Sequence, residues 1–179
     1  MITGSPILVD ATLFVPVGSY EELKATDPDY QCCSFRGSLV ALDAGTGKVL
    51  WKSYTISDEP KPQGKSEDKQ RIGPSGAAIW SSPTYDAKRN TVYVTTGDNY
   101  SKPTTKTSDA ILAFDGETGQ LVWSRQVVTN DAFNMACNGP PGPNCPEEAG
   151  GDFDFGSSAI LVDLPAGKRA LVAGQSRAW

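Results

Sequence analysis

An all-β fold of repeated four-stranded antiparallel sheets is predicted by three features of the sequence. It carries three copies of a strand–turn–strand segment and two copies of an eleven-residue turn pattern ending in Trp, and it has almost no helical periodicity.

The first segment reads Thr3-Gly-Ser-Pro-Ile-Leu-Val-Asp10 followed by Leu13-Phe-Val-Pro-Val17. It returns as Trp80-Ser-Ser-Pro-Thr-Tyr-Asp86 with Thr91-Val-Tyr-Val-Thr95, and as Gly156-Ser-Ser-Ala-Ile-Leu-Val-Asp163 with Arg169-Ala-Leu-Val-Ala173. Pro6, Pro83 and Ala159 occupy one slot in the three copies. Each copy predicts two short strands joined by a hairpin turn, at Ala11, Lys88-Arg89-Asn90 and Pro165-Ala-Gly167. Residues 21–25, between the first copy and the next strand, predict a single helical turn.

The second pattern reads Ala41-Leu-Asp-Ala-Gly-Thr-Gly-Lys-Val-Leu-Trp51 and again Ala113-Phe-Asp-Gly-Glu-Thr-Gly-Gln-Leu-Val-Trp123. Strands at 38–42 and 110–114 run into Asp-x-x-Thr-Gly, where the Asp caps the turn and Gly supplies a positive φ. A return strand then ends on the Trp. Each unit therefore has two strands from the first motif and two from the second, and copies must stack around an axis to bury their faces. The units span roughly 1–56, 77–128 and 152–179, two complete blades and the opening of a third. Closing a propeller takes about four blades or more, so a longer parent protein is expected. A β-sandwich with coincidental turns is the alternative fold.

Composition narrows the chemistry. The 179 residues carry a net charge of −5 and contain no His. His-ligated zinc, a His base and a Cys-x-x-Cys-His haem attachment are therefore absent from this stretch. Lys61, Lys65, Lys69 and Arg71 alternate with Glu59, Glu67 and Asp68, which predicts a solvated loop over 57–73 and no nucleic-acid groove. No stretch reads as a membrane span or a signal peptide. The four cysteines, Cys32-Cys33 and Cys137 with Cys145, lack zinc spacing and point to an oxidising compartment.

The Trp-ending pattern is similar to the tryptophan-docking motif of PQQ-dependent (quinoprotein) alcohol dehydrogenases, which are eight-bladed β-propellers. Cys32-Cys-Ser-Phe-Arg-Gly-Ser-Leu-Val-Ala-Leu-Asp43, Ala78-Ile-Trp-Ser-Ser-Pro83, Thr96-Gly-Asp-Asn-Tyr-Ser101 and Asp152-Phe-Asp-Phe-Gly156 resemble the polyvinyl-alcohol dehydrogenases within that family. The resemblance covers nearly the whole chain and fails only in its last few residues. It implies a partial eight-bladed propeller of about two and a half blades, in which Trp51 and Trp123 are structural.

The same resemblance implies a site. Thr3 matches a Thr that hydrogen-bonds the quinone, and Trp80 matches the indole floor beneath PQQ. Glu21 matches a calcium-ligating Glu, with Glu22 as its neighbouring alternative. Asp98 stands where the family has a calcium-ligating Asn, with Asn99 beside it. Asp154 matches the catalytic base. Gly156 replaces the extra Asp of lanthanide-using relatives, which favours Ca²⁺. The family's basic residue near the quinone has only Arg177 as a stand-in. On this reading an alcohol, small or polymeric, loses hydride to PQQ with Ca²⁺ as Lewis acid. Electrons pass on to a cytochrome c or a quinone, in the periplasm or outside the cell.

Each residue also has a plainer reading: solvated loop carboxylates at Glu21 and Asp98, a core Trp80, an edge-strand Asp154. A non-catalytic envelope scaffold of the same repeat type would keep the Trp motifs but has no use for Glu21, Trp80, Asp98 and Asp154 together. Arg36 is open between a ligand contact and a structural ion pair. Cys137 with Cys145 is the expected disulfide, pinning an insertion just before Asp154. A Cys32–Cys33 bridge would span adjacent Cα atoms and is left open.

Overall fold

A computed structural model describes residues 1–66 and 69–177. The first sheet pairs β1 (Ile7–Val9), β2 (Thr12–Val17), β3 (Ser38–Asp43) and β4 (Val49–Tyr54) in that spatial order, all antiparallel. A one-turn helix, α1 (Glu21–Lys24), sits in the long β2–β3 connection. Next come β5 (Lys61–Ser66), β6 (Lys69–Gly73) and the short β7 (Ser75–Gly76). The second four-stranded sheet contains β8 (Thr84–Asp86) and β9 (Thr91–Thr95), interrupted in sequence by β10 (Asn99–Ser101). It is completed by β11 (Ala110–Asp115) and β12 (Leu121–Gln126). β10 pairs instead with β7. β13 (Phe153–Asp154), β14 (Ile160–Asp163), β15 (Arg169–Val172) and β16 (Ser176–Arg177) follow, with β14–β15 and β13–β16 paired. Two sheets of four and a two-stranded opening of the next are the units the repeats predict.

Two details differ from the sequence expectation. Residues 57–73 are not simply a solvated loop: β5 and β6 pair as antiparallel strands, and the part of that expectation falling on Glu67 and Asp68 lies outside the described residues. Lys-Pro-Gln-Gly-Lys-Ser has no apolar alternation, so the period that reveals a half-buried strand is missing. The outer strands also do not stop at Trp51 and Trp123. They continue to Tyr54 and Gln126 because their partners extend back to Ser38 and Ala110.

The Asp-x-x-Thr-Gly turns fold as their chemistry dictates. Asp43 Oδ1 accepts the Thr46 amide at 2.7 Å and its hydroxyl at 2.6 Å; Asp115 does the same for Thr118 at 2.8 Å and 2.8 Å. The following Gly47 and Gly119 have φ of 73° and 70°. These turns also receive the neighbouring blade. Trp51 Nε1 donates to the Gly116 carbonyl at 3.3 Å, and its ring lies where a side chain on Gly119 would stand. Trp123, which has no such turn against it among the described residues, is 40% exposed.

The main core lies between the first two sheets: Phe14, Leu39, Ile79, Val92, Val94, Leu112 and Phe114. Each such side chain contributes about 1.5–3 kcal/mol on burial. A smaller cluster of Tyr93, Ala113 and Ala159 joins the second sheet to β14 and β15. The same junction carries a buried ion pair, Asp86 with Arg169. Burial pushes the Asp86 carboxyl up, but hydrogen bonds from Arg169, Arg89 and the Lys88 amide outweigh it and hold the group down at about 2. The blades are thus locked to one another, which fixes the side chains that meet between them.

Candidate functional site

A cavity of about 250 Å³ opens where the first blade, the second blade and β13 meet. Thr3, Glu22, Trp80, Gly97, Tyr100 and Asp154 line it, from parts of the chain far apart in sequence. Trp80 begins the second blade's first motif and is 39% exposed. Gly97 and Gly156 flank it: a Cβ on Gly97 would stand 3.4 Å from Trp80 Nε1, and one on Gly156 would stand 2.9 Å from Cη2. Glycine at both positions leaves the indole room to lie flat, and an Asp at 156 would press on that ring.

Asp154 reaches the cavity from β13. Its Oδ1 accepts the Asp98 amide at 3.1 Å and occupies the space a side chain on Gly97 would take. Burial, with Glu22 beside it, pushes its carboxyl up to about 7, partly offset by the Asp98 amide hydrogen bond. Asp98 is 1% exposed, and its Oδ2 has no hydrogen-bond partner among the described residues. Burial, and then the charges of Asp154 and Glu22, raise it well above the usual carboxylate range. Burial followed by Asp152 lifts Glu22 to about 7.

The helical turn separates Glu21 from Glu22. Glu21 is 4% exposed, and its carboxylate is fully engaged away from the cavity. It accepts the Tyr30 hydroxyl at 2.8 Å, the Ser34 amide at 2.8 Å, the Ser34 hydroxyl at 3.2 Å and the Phe35 amide at 2.6 Å. These bonds anchor the segment carrying Cys32 and Cys33. Glu22 lines the cavity. Asn99 is occupied too: its amide bonds the Ser75 carbonyl and Thr105 while its oxygen accepts the Thr105 amide.

Among the described residues no group of three or more His, Cys, Asp or Glu side chains is arranged to hold a metal ion. The donor chemistry still fits a hard cation. All the candidate donors are oxygens, one is buried without a partner, and their charges raise one another's pKa, as a cation between them would relieve.

Arg36 lies elsewhere. It donates to the Ile56 and Ser57 carbonyls and stacks 3.9 Å over Tyr54, so its partners are structural. Arg177 is exposed and packs on the Phe153 ring at 5.4 Å; it is not among the cavity's lining residues. Both cysteine pairs are bridged, Cys32–Cys33 and Cys137–Cys145. The insertion that the second bridge pins is docked by Asn144. Its amide donates to the carbonyls of Ala25, Asp27 and Tyr30 at 2.9–3.1 Å, beside the helical turn of Glu22.

A second layer of acids backs the site, and the sequence reading missed it. Asp109 donates its amide to the Gly97 carbonyl at 3.0 Å, and Asp131 accepts the Phe153 amide at 2.8 Å. Both carboxylate oxygens of Asp109 are buried without partners. Burial first, then Asp131, raises its pKa to about 9. Between its ordinary value of 3.8 and about 9 the folded chain keeps a proton that the unfolded chain has released, so stability falls as pH rises. Asp109→Asn should remove that slope. Its melting temperature should exceed the parent's by a margin that widens from about pH 5 to about pH 8; parallel curves would contradict it.

Residues 2–143 match the family described as PQQ: Glucose/ethanol/alcohol dehydrogenase, beta-propeller domain. The chain is 46% identical over 175 residues to a polyvinylalcohol dehydrogenase of Pseudomonas sp. It is 41% identical over 177 residues to one of Sphingopyxis sp. (strain 113P3); each match covers 97% of this chain and 27% of the relative. It therefore spans about a quarter of the length of these relatives. The quinohemoprotein alcohol dehydrogenase of Comamonas testosteroni shares the fold, with a TM-score of 0.61 at 24% identity over 98% of this chain and 25% of that one. By the family match over most of its length, seated on repeated propeller blades, the chain belongs to the PQQ β-propeller family of glucose, ethanol and alcohol dehydrogenases.

Proposed function

We propose that this chain is the part of a quinoprotein dehydrogenase that carries its cofactor floor, calcium ligands and base, and that the parent oxidises alcohols. Secondary or polymeric alcohols such as polyvinyl alcohol are the substrate class, following the polyvinylalcohol dehydrogenases that the chain resembles. The observation that carries this reading is the meeting of Thr3, Glu22, Trp80 and Asp154 around one cavity, with the orphaned Asp98 oxygen beneath it.

Bound PQQ would supply the two-electron acceptor, and Ca²⁺ would polarise its reactive carbonyl. Trp80 offers an open indole face for a planar ring, and Thr3 a hydroxyl at the cavity rim. Glu22 and Asp98 would hold the calcium, with Glu22 taking the place assigned to Glu21 from spacing alone. Asp154 takes the alcohol proton at Oδ1 or Oδ2 as hydride leaves the carbinol carbon. Its raised pKa makes it a stronger base than an exposed carboxylate once ionised. A cytochrome c or quinone would accept the electrons, in the periplasm or outside the cell, where the two disulfides are stable.

The test is calorimetric titration of PQQ, with Ca²⁺ present, into the protein expressed from its complete reading frame. Saturable heat that is lost with a chelator is expected. A scaffold of the same fold would give none.

A further inference from the structure

Tyr100 is a cavity residue that no motif assigns. It is 4% exposed, its ring stacks on Phe35 at 6.2 Å and 22°, and its carbonyl accepts the Asn134 amide at 2.9 Å. Backbone and ring are therefore both fixed. Its hydroxyl makes no hydrogen bond to another described residue. That hydroxyl is not sealed from solvent, so it is free to bond a ligand in the cavity. The cavity it lines also holds Trp80 and Asp154.

Its surroundings narrow what that ligand is. Two acids, Glu22 and Asp154, line the cavity with it. Tyr100 thus offers a hydroxyl donor in the cavity that Asp154 also lines. The group that needs such a donor is an oxygen that gains negative charge as its proton leaves.

We infer that the Tyr100 hydroxyl hydrogen-bonds the alcohol oxygen of the substrate, orienting it toward Asp154 and stabilising the charge that develops there. The inference rests on the alcohol-oxidising reading above. Tyr100 keeps its own proton throughout; the alcohol proton goes to Asp154 and the hydride to the quinone.

Tyr100→Phe in the reconstituted holoenzyme tests it. A tertiary alcohol serves as a binding probe, having the hydroxyl but no carbinol hydrogen. Its dissociation constant and kcat/KM for a secondary alcohol should each worsen by roughly 10- to 100-fold. PQQ affinity, read from quenching of tryptophan fluorescence, and melting temperature should stay at parent values. Unchanged alcohol binding and turnover would overturn the assignment. So would a fall in PQQ affinity, which would make Tyr100 a cofactor contact, or a lowered melting temperature matching the lost activity. If the parent binds PQQ but oxidises no alcohol, the reading beneath fails, and this inference with it.

Discussion

Asp154→Asn is expected to lower kcat by roughly 10²- to 10⁴-fold, the range spanned by loss of a general base. Asn has nearly the same shape, and its oxygen can still accept the Asp98 amide now bonded at 3.1 Å. What it cannot do is hold the alcohol proton. PQQ affinity and melting temperature should therefore stay unchanged while turnover with an artificial electron acceptor collapses. Gly97→Ala should cause a comparable loss by another route. Its added methyl would collide with Asp154 Oδ1 and crowd the Trp80 indole, driving the carboxylate from its place. The two variants part on cofactor binding, which Gly97→Ala should also weaken. An Asn variant keeping more than about a tenth of parental kcat would show that the proton leaves by another group.

The blades were legible because their signals are local. Asp43 and Asp115 cap their own turns, and Trp51 and Trp123 follow at a fixed distance, so a repeated string of residues encodes a repeated piece of backbone. The β5–β6 pair was not legible, because Lys-Pro-Gln-Gly-Lys-Ser and Lys-Gln-Arg-Ile-Gly show no apolar alternation. Within the site, Trp80 and Asp154 were found by resemblance, but the choice within two pairs of neighbours needed backbone geometry. Asn99 turns its side chain to Ser75 and Thr105, while Asp98, just outside β10, keeps a buried carboxylate oxygen without a partner among the described residues. Nothing local in the sequence separates the two. Asp109 and Asp131 gave no signal, since an isolated Asp in a turn is the commonest of surface residues.

The neighbouring glutamates give the sharpest separation of structure from function. Successive residues of a helix are turned by about 100°, so counting from a family motif does not settle which of Glu21 and Glu22 faces the ligand. Glu22→Gln is expected to weaken calcium binding at least tenfold, because affinity follows ligand charge (roughly that scale per carboxylate). The melting temperature of the metal-free protein should hold or rise, since a carboxyl lifted to about 7 by burial and by Asp152 would be replaced with a neutral group. Glu21→Gln should do the reverse. Its oxygens accept four hydrogen bonds, and an amide –NH₂ in place of one oxygen would face the Phe35 or Ser34 amide donor to donor. Leaving such a buried donor unpaired costs about 1–3 kcal/mol. The segment from Tyr30 to Phe35 should loosen, with hydrogen exchange at the Ser34 and Phe35 amides reporting it. Calcium affinity should change little at a temperature where that segment stays docked. The opposite pairing, with Glu21→Gln losing calcium at an unaltered melting temperature and Glu22→Gln silent, would return the ligand role to Glu21.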